Sequence, residues 1–386
     1  MWLAVAAVSV TAVVALVLKP RPKAGPVRIA GILPLTGPDA AIGLGMRNAL
    51  RLAFNEVNAR GGIQGRKVEL VEVDDRSDPA TAPAAAAALA ADKTVLAAIG
   101  HYNPDTDYAM QPALGAGRVP DVVVGVPVRE SSTLGRNDAE FSLLPLGGTQ
   151  MAHAAKYAWE TLGARRFSFI RDRSDLGLAM VNEFRASLTP YFKHVVSGDE
   201  LVRATDRDFA PAIASIRKTD PQFVFFGGDP VAAARFLVQL RDAGVTAPFQ
   251  CASQFPSQEF IDSAGAGAEG SLAVFAGVPA EAFPAGRAFL DAYAKMQLAE
   301  PPSMYGIYAY AGAQALLGAA SRSFLTRPSI AGALTNEELE TALGPIRFVY
   351  GGSTYRTVAL YQVKSGRWTP IYQSDSAGKL VPYAPR

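Results

Sequence analysis

Two α/β lobes built on parallel sheets are what this sequence predicts, and three observations predict them. Short, almost wholly apolar runs such as Val27–Leu33 (VRIAGIL) read as strands buried on both faces. Stretches with helical spacing of apolar residues separate these runs, the order expected of parallel sheets with helices on both sides. The alternation then restarts after Gly147-Gly148, and 386 residues exceed the usual size of a single hydrophobic core.

The elements follow in order. After Val27–Leu33 comes a turn at Thr36-Gly37-Pro38. A helix follows, with Met46, Leu50, Ala53, Phe54 and Val57 on one face, ended by Gly61-Gly62. Val68–Val73 is the next strand. Asp78-Pro79 reads as an N-cap with proline at the first helical position, opening an alanine-rich helix that runs to Ala91. Val95–Gly100 and Val122–Val126 continue the sheet. In the second half, a helix at Ala152–Leu162 precedes the strand Phe167–Ile170. Then come a helix over Leu178–Leu188, the strand Phe223–Phe226 (FVFF), a helix over Ala232–Ala243, a strand near Phe249 and another at Leu272–Ala276. A helical stretch (Tyr305–Ser321) and a β-rich tail (Ile346–Tyr372) remain, expected to return to one lobe and then the other.

Composition narrows the function. Apolar residues make up 49% and charged residues 19%, as in a folded globular chain. The 37 basic and 35 acidic side chains leave a net charge of +2, which gives no footprint for nucleic acid. A single cysteine, Cys251, excludes an intrachain disulfide and a multi-thiolate metal site; it reads as a buried small hydrophobe. Trp2–Leu18 carries no charge, and Lys19, Arg21 and Lys23 follow it. Residues 1–26 therefore read as a signal peptide or membrane anchor, outside the fold and the only expected membrane contact. Basic residues on the C-terminal side of the run argue for a cytoplasmic domain, against the rest of the reading. An upstream start with its own basic segment would reconcile the two.

In open parallel sheets, ligands bind beyond the carboxyl ends of the strands, among loops and helix N-termini. Two facing lobes turn those ends into a crevice. The residues then resemble a family. Ile32–Gly43 (ILPLTGPDAAIG), Asn55–Gly65 (NEVNARGGIQG), Asp74-Asp75 with Asp78-Pro79, Ile99–Asn103 (IGHYN), Phe223–Gly228 (FVFFGG), Ala268–Gly270 (AEG) and the tail Gly344–Trp368 (including GPIRF and LYQVKSGRW) resemble the branched-chain amino-acid binding proteins of ABC importers, in order, over about residues 27–372. The resemblance implies the type I periplasmic binding-protein fold, two lobes joined by a three-crossover hinge. It places residues 27–146 with 277–343 in the N-terminal lobe and 147–276 with 344–386 in the C-terminal lobe. It also implies a periplasmic or extracytoplasmic monomer that hands a small-molecule solute to a membrane permease, without cofactor or catalysis; residues 2–18, if retained, would anchor it.

The family's clamp for an α-amino acid looks altered on both sides. Pro104 stands where the loop after the third strand resembles a hydroxyl position, and Gly125-Val126-Pro127-Val128 replaces a loop with Ser or Thr. In the second lobe Ser253 stands where the resemblance implies an acid, and Leu176 where a tyrosine is often found. A buried zwitterion needs a partner at each end. The expected solute is therefore small and polar, amino-acid-like or an organic acid or amide, and not a standard branched-chain amino acid.

Each candidate contact has a plainer reading beside it. Tyr102, Asn103, Asp105 and Thr106 follow a buried strand, where solute contact competes with Asn-Pro-Asp turn chemistry. Thr36 and Gly37 offer backbone N–H groups to an anion or simply begin a helix. Arg129 is a replacement donor or half of a solvated rim pair with Glu130. Asp175 and Asp229 face the crevice or cap helices; Gln254, Phe255 and Tyr305 wall the site or fill a core. Other motifs dissolve. Gly265–Gly270 (GAGAEG) precedes a strand and is a loop, not a dinucleotide fingerprint. Asp74, Asp75 and Asp78 read as strand-end charge and a cap, and His101, His153 and His194 have no metal-ligand spacing. No nucleophile elbow or phosphate loop occurs. Two other readings share the fold: a ligand-sensing ectodomain or anchored receptor subunit, which a neighbouring kinase or cyclase gene would favour, and an enzyme on a borrowed scaffold, which a water-excluded carboxylate pair would favour.

Overall fold

The structure, a computed structural model, describes residues 25–126, 138–145, 147–189, 196–252, 256–375 and 377–384. The first sheet contains β1 (Val27–Leu33), β2 (Val68–Asp74), β3 (Val95–Gly100), β4 (Asp121–Val123) and β5 (Glu140–Ser142), all parallel, in the order β2-β1-β3-β4-β5. The second contains β6 (Arg166–Arg171), β7 (Val196–Leu201), β8 (Phe223–Gly227), β9 (Phe249–Ala252) and β10 (Leu272–Phe275), again parallel, in the order β7-β6-β8-β9-β10.

The strand sequences explain the layers. In β1, Ile29 and Leu33 join a core with Leu50 and Phe54 of α1 (Ala40–Ala59), while Ala30 and Ile32 meet Ala86 of α2 (Ala82–Ala91) and Met110 of α3 (Pro104–Ala116) on the other face. The second sheet is alike. Phe167, Phe169, Phe223 and Phe225 pack on α4 (Gly147–Lys156) and α5 (Asp175–Leu188). Ile170, Val224 and Phe226 pack on α6 (Ala210–Thr219), α7 (Pro230–Asp242) and α8 (Gln258–Ala264). Side chains of period two, apolar at both parities, leave neither face for water.

The chain crosses between sheets three times. It leaves the first sheet after β5 and returns after β10 to add α9 (Gly286–Ala294), α10 (Gly306–Ser321) and α11 (Arg327–Asn336). The hairpin β11 (Phe348–Val349) and β12 (Gly352–Ser353) then pairs with β5 in the first sheet. Only after it do β13 (Ala359–Lys364), β14 (Arg367–Ser374) and β15 (Leu380–Pro382) extend the second sheet antiparallel from β10. The return to the second sheet therefore comes after residue 353 rather than at 344, because the backbone groups of 348–353 complete the first sheet's open edge. The alanine-rich helix also starts later than Asp78-Pro79 suggests. Asp78 closes a turn onto Ala80 and Thr81, and Thr81 precedes the first helical residue.

A tyrosine cluster ties the crossings together. The Tyr308 hydroxyl on α10 accepts from Val278 N–H (2.7 Å) and donates to Val278 C=O (2.9 Å), and it lies 3.2 Å from the Tyr355 hydroxyl. Tyr361 donates to the Gly277 carbonyl at 3.3 Å. A Cβ on Gly277 would lie 2.0 Å from the Tyr308 oxygen, so no other residue fits there without displacing the pivot. Among the described residues, no helix is long and apolar enough to cross a membrane; Trp2–Leu18 lies outside them.

Candidate functional site

Strand order reverses between β1 and β3 in the first sheet and between β6 and β8 in the second. Such switch points separate the loops leaving adjacent strands in opposite directions, which opens a crevice at their carboxyl ends. The loops at these four strand ends hold most of the candidate residues that the structure describes.

At the end of β1 the loop is organised by Asp74, the last residue of β2. Its carboxylate accepts N–H groups from Leu35 (2.8 Å), Thr36 (3.2 Å) and Arg76 (3.0 Å), and the Thr36 hydroxyl at 2.5 Å. Partial burial raises its pKa, but these hydrogen bonds outweigh it and hold the group below the usual carboxylate value. Both donors of Thr36 thus point at Asp74. Gly37 follows at φ +87°, a conformation that suits glycine.

At the end of β3, Asn103 caps α3: its side-chain oxygen accepts from the N–H groups of Asp105 (2.9 Å) and Thr106 (3.4 Å). The Thr106 hydroxyl, fully buried, donates to the Asn103 carbonyl at 2.8 Å, and Asp105 is exposed in the first turn. Tyr102 is buried, its ring edge-on to Tyr305 at 5.5 Å; Tyr305 in turn meets Phe275 at 5.2 Å. Burial raises the Tyr102 hydroxyl pKa far above its ordinary value, and Tyr305, Asp39 and Glu259 add to the shift. Glu259 belongs to the first turn of α8, which packs on the second sheet, so a charge carried by one lobe is felt at Tyr102 in the other. Sequence reasoning missed Glu259.

In the second lobe one buried aspartate joins both loops of the switch point. Asp172, directly after β6, accepts from the Ser174 N–H (3.0 Å) and hydroxyl through one oxygen and from the Asp229 N–H (2.8 Å) through the other. Gly228 runs at φ +134°, and a Cβ there would lie 2.2 Å from the Asp172 carboxylate. Ser174 caps α5 through Gly177 N–H, leaving Asp175 exposed in the first turn. Asp229 caps α7 through Ala232 N–H at 2.7 Å. Capping, the plainer reading of Asp229, thus describes that residue directly; for Asn103 the plainer reading was turn chemistry, and its side chain caps α3. Arg129, Gln254 and Phe255 lie outside the described residues. Asp172 was missed, although an Asp-x-Ser just before a helix is a turn-and-cap signal in itself.

Behind the β3 loop sits a buried charge cluster. His101 Nδ1 lies 3.2 Å from Asp107 and Nε2 lies 2.9 Å from Asp121; all three side chains are buried, as is Gln111. These are the His, Asp and Asp that come close enough together to suggest a metal among the described residues. Asp74, Asp75 and Asp78 instead bond to nearby turn groups, as strand-end charges do. Cys251 is buried in β9.

A family model described as periplasmic binding protein matches residues 26–367. The leucine-specific-binding protein of Salmonella typhimurium is 27% identical over 344 residues, 88% of this chain and 91% of the relative. The Leu/Ile/Val-binding protein of Escherichia coli K12 is 26% identical over 322 residues, 83% of this chain and 86% of the relative. The crystal structure of a leucine binding protein from Thermotoga maritima superposes with a TM-score of 0.78 at 25% identity, covering 90% of this chain and 98% of that one.

Proposed function

This chain belongs to the periplasmic binding protein family, and on that premise we propose that it is the extracytoplasmic solute-binding component of an ABC-type importer. Its lobes close on one small polar solute, and the closed form is what the permease recognises. The observation that carries this reading is the pair of switch points, whose loops are pinned by Asp74 in one lobe and Asp172 in the other. Loops already held in shape lose little entropy when a solute arrives, so the binding energy goes into closure.

The relatives above are named for leucine, isoleucine and valine. We place the solute of this chain outside that set, among other amino-acid-like molecules, organic acids and amides. The Thr106 hydroxyl is turned back onto its own loop, and Asp229 commits an oxygen to its helix. Pro104 has no N–H at all. Tyr102 and Tyr305 supply an apolar wall; Gly37, Asn103, Asp105, Arg129, Asp175, Gln254 and Phe255 are the remaining proposed contacts.

A thermal-shift panel of the amino acids with short organic acids and amides tests this. A solute present at about a hundred times its Kd stabilises by about 2.7 kcal/mol, or about 5–11 °C for a lobe of this size. A shift of that size with a member other than leucine, isoleucine or valine is expected. A large shift with leucine or valine refutes the exclusion, and a flat panel together with no retained small molecule in native mass spectrometry refutes solute binding.

A further inference from the structure

We propose that His101 is a positioning residue for the solute loop: clamped between Asp107 and Asp121, its doubly protonated ring fixes the backbone that presents Tyr102 and Asn103 to the cleft. This rests on the solute-binding reading for its purpose, but not for its geometry. Gly100 runs at φ +141° and His101 at φ +60°, so the chain leaves β3 through two consecutive residues outside the right-handed regions. For histidine the left-handed conformation is strained. A wholly buried imidazole adds a second cost. Something must offset both.

The two aspartates do. Asp107 comes from α3 and Asp121 from the start of β4, so the ring fastens the loop to both neighbouring elements. The Gln111 amide donates to each of the same carboxylate oxygens, at 2.7 and 2.9 Å, and holds them in place. Ionised carboxylates only accept, so both ring nitrogens face acceptors and both carry protons. Neither contact has the alignment of a formal hydrogen bond; the attraction is that of an ion cluster. The charge of Asp75, after β2, adds to the field that favours the protonated ring. Burial pulls the imidazole towards neutrality, but Asp121 and Asp107 outweigh it and raise its pKa to about 10. Main-chain contacts complete the clamp: His101 N–H donates to Ile32 C=O at 2.8 Å, and a Cβ on Gly125 would strike the His101 carbonyl at 2.6 Å.

The same side chains do not favour a metal. Asp107 and Asp121 sit against opposite ring nitrogens, and the oxygens nearest the ring already receive the Gln111 N–H groups. A cation needs lone pairs converging on one point.

Histidine ring-nitrogen NMR on the full chain tests the clamp without any solute. Both nitrogens of His101 should stay protonated from about pH 5.5 to about pH 8.5, where an unperturbed imidazole titrates. Hydrogen exchange gives the second readout: in His101→Gln, the amides of Tyr102, Asn103, Asp105 and Thr106 should exchange about tenfold faster or more, with the amides of α10 unchanged. Asp107→Asn serves if His101→Gln does not fold. The panel member that most stabilises the wild type should bind either variant about tenfold more weakly or worse. An unprotonated ring nitrogen at neutral pH, zinc-dependent His101 signals, or unchanged loop exchange in a folded variant overturns the proposal. A panel with no hit counts against solute binding alone, and the NMR and exchange results still decide the clamp.

Discussion

Replacing Arg327 by methionine should destabilise the first lobe severely while leaving solute affinity alone. Arg327 is 8% exposed at the start of α11, and its guanidinium spends all five N–H donors on main-chain carbonyls. Nε bonds Val95 (2.9 Å); one terminal nitrogen bonds Ala90 (3.0 Å) and Gly117 (2.9 Å); the other bonds Leu89 (3.2 Å) and Asp92 (2.6 Å). Those carbonyls end α2, end α3 and begin β3, so one cation caps two helix C-termini at once. Hydrogen bonds from a charged donor contribute about 1.5–3 kcal/mol each net of desolvation, and five made by one group do not add in full. Removing one partner of a buried charged arrangement costs about 3–5 kcal/mol, the loss expected for Arg327→Met. That corresponds to a fall in Tm of about 6–20 °C. Lysine, a point charge with three donors, should recover about half. Calorimetric and urea melts read the stability, and titration with the stabilising panel member reads affinity. Because Arg327 sits by the amino end of β3, opposite the cleft loops, Kd should change less than about twofold. A loss under about 1 kcal/mol, or an affinity loss matching the stability loss, would refute the reasoning.

The remaining predictions are shorter. Asp172→Ala unties both cleft loops of the second lobe; solute affinity should fall about tenfold or more, with about 2–3 kcal/mol lost in urea melts, and unchanged binding would show that the loops hold themselves. Tyr308→Phe removes one oxygen and strands Val278 at the pivot, so about 1–3 kcal/mol should be lost; solution scattering of the solute-free variant should also broaden, and a profile identical to wild type counts against a pivot role. The His101 cluster sets a pH dependence. Its folded pKa, raised to about 10 from 6.5, means the contribution is complete below pH 6.5 and fades as pH rises towards 10. Asp107, raised by burial to about 6, loses its contribution in the same direction at lower pH. Urea midpoints should therefore fall between pH 6.5 and pH 9.5, more steeply in the wild type than in His101→Gln; parallel slopes would contradict the clamp.

Much of the fold was legible because its strands are buried on both faces. Val27–Leu33, Val95–Gly100 and Phe223–Phe226 carry apolar side chains at every parity, and such a run has few places to go but the middle of a parallel sheet. The strands that escaped notice lack that property. β7 (VSGDEL) is an edge strand bonded only to β6, with a glycine and two acids, and β5 is only three residues long. The cap at Asp229 and the local turn chemistry around Asn103 were readable as alternatives to solute contact, since both depend on residues two or three positions apart.

By itself, then, the sequence determined the alternation of strands and helices, the doubling into two lobes, the family likeness and the local turn chemistry, all of which repeat over a few residues. Tertiary structure alone decided where the chain makes its last crossing, because Phe348–Ser353 finds its backbone partner at Ser142. It alone gathered residues 101, 107, 111 and 121 into one charge cluster, and drew Arg327 to carbonyls 210 to 238 positions away. A buried charge must be matched wherever the fold brings a partner within reach, and no spacing along the chain records that distance.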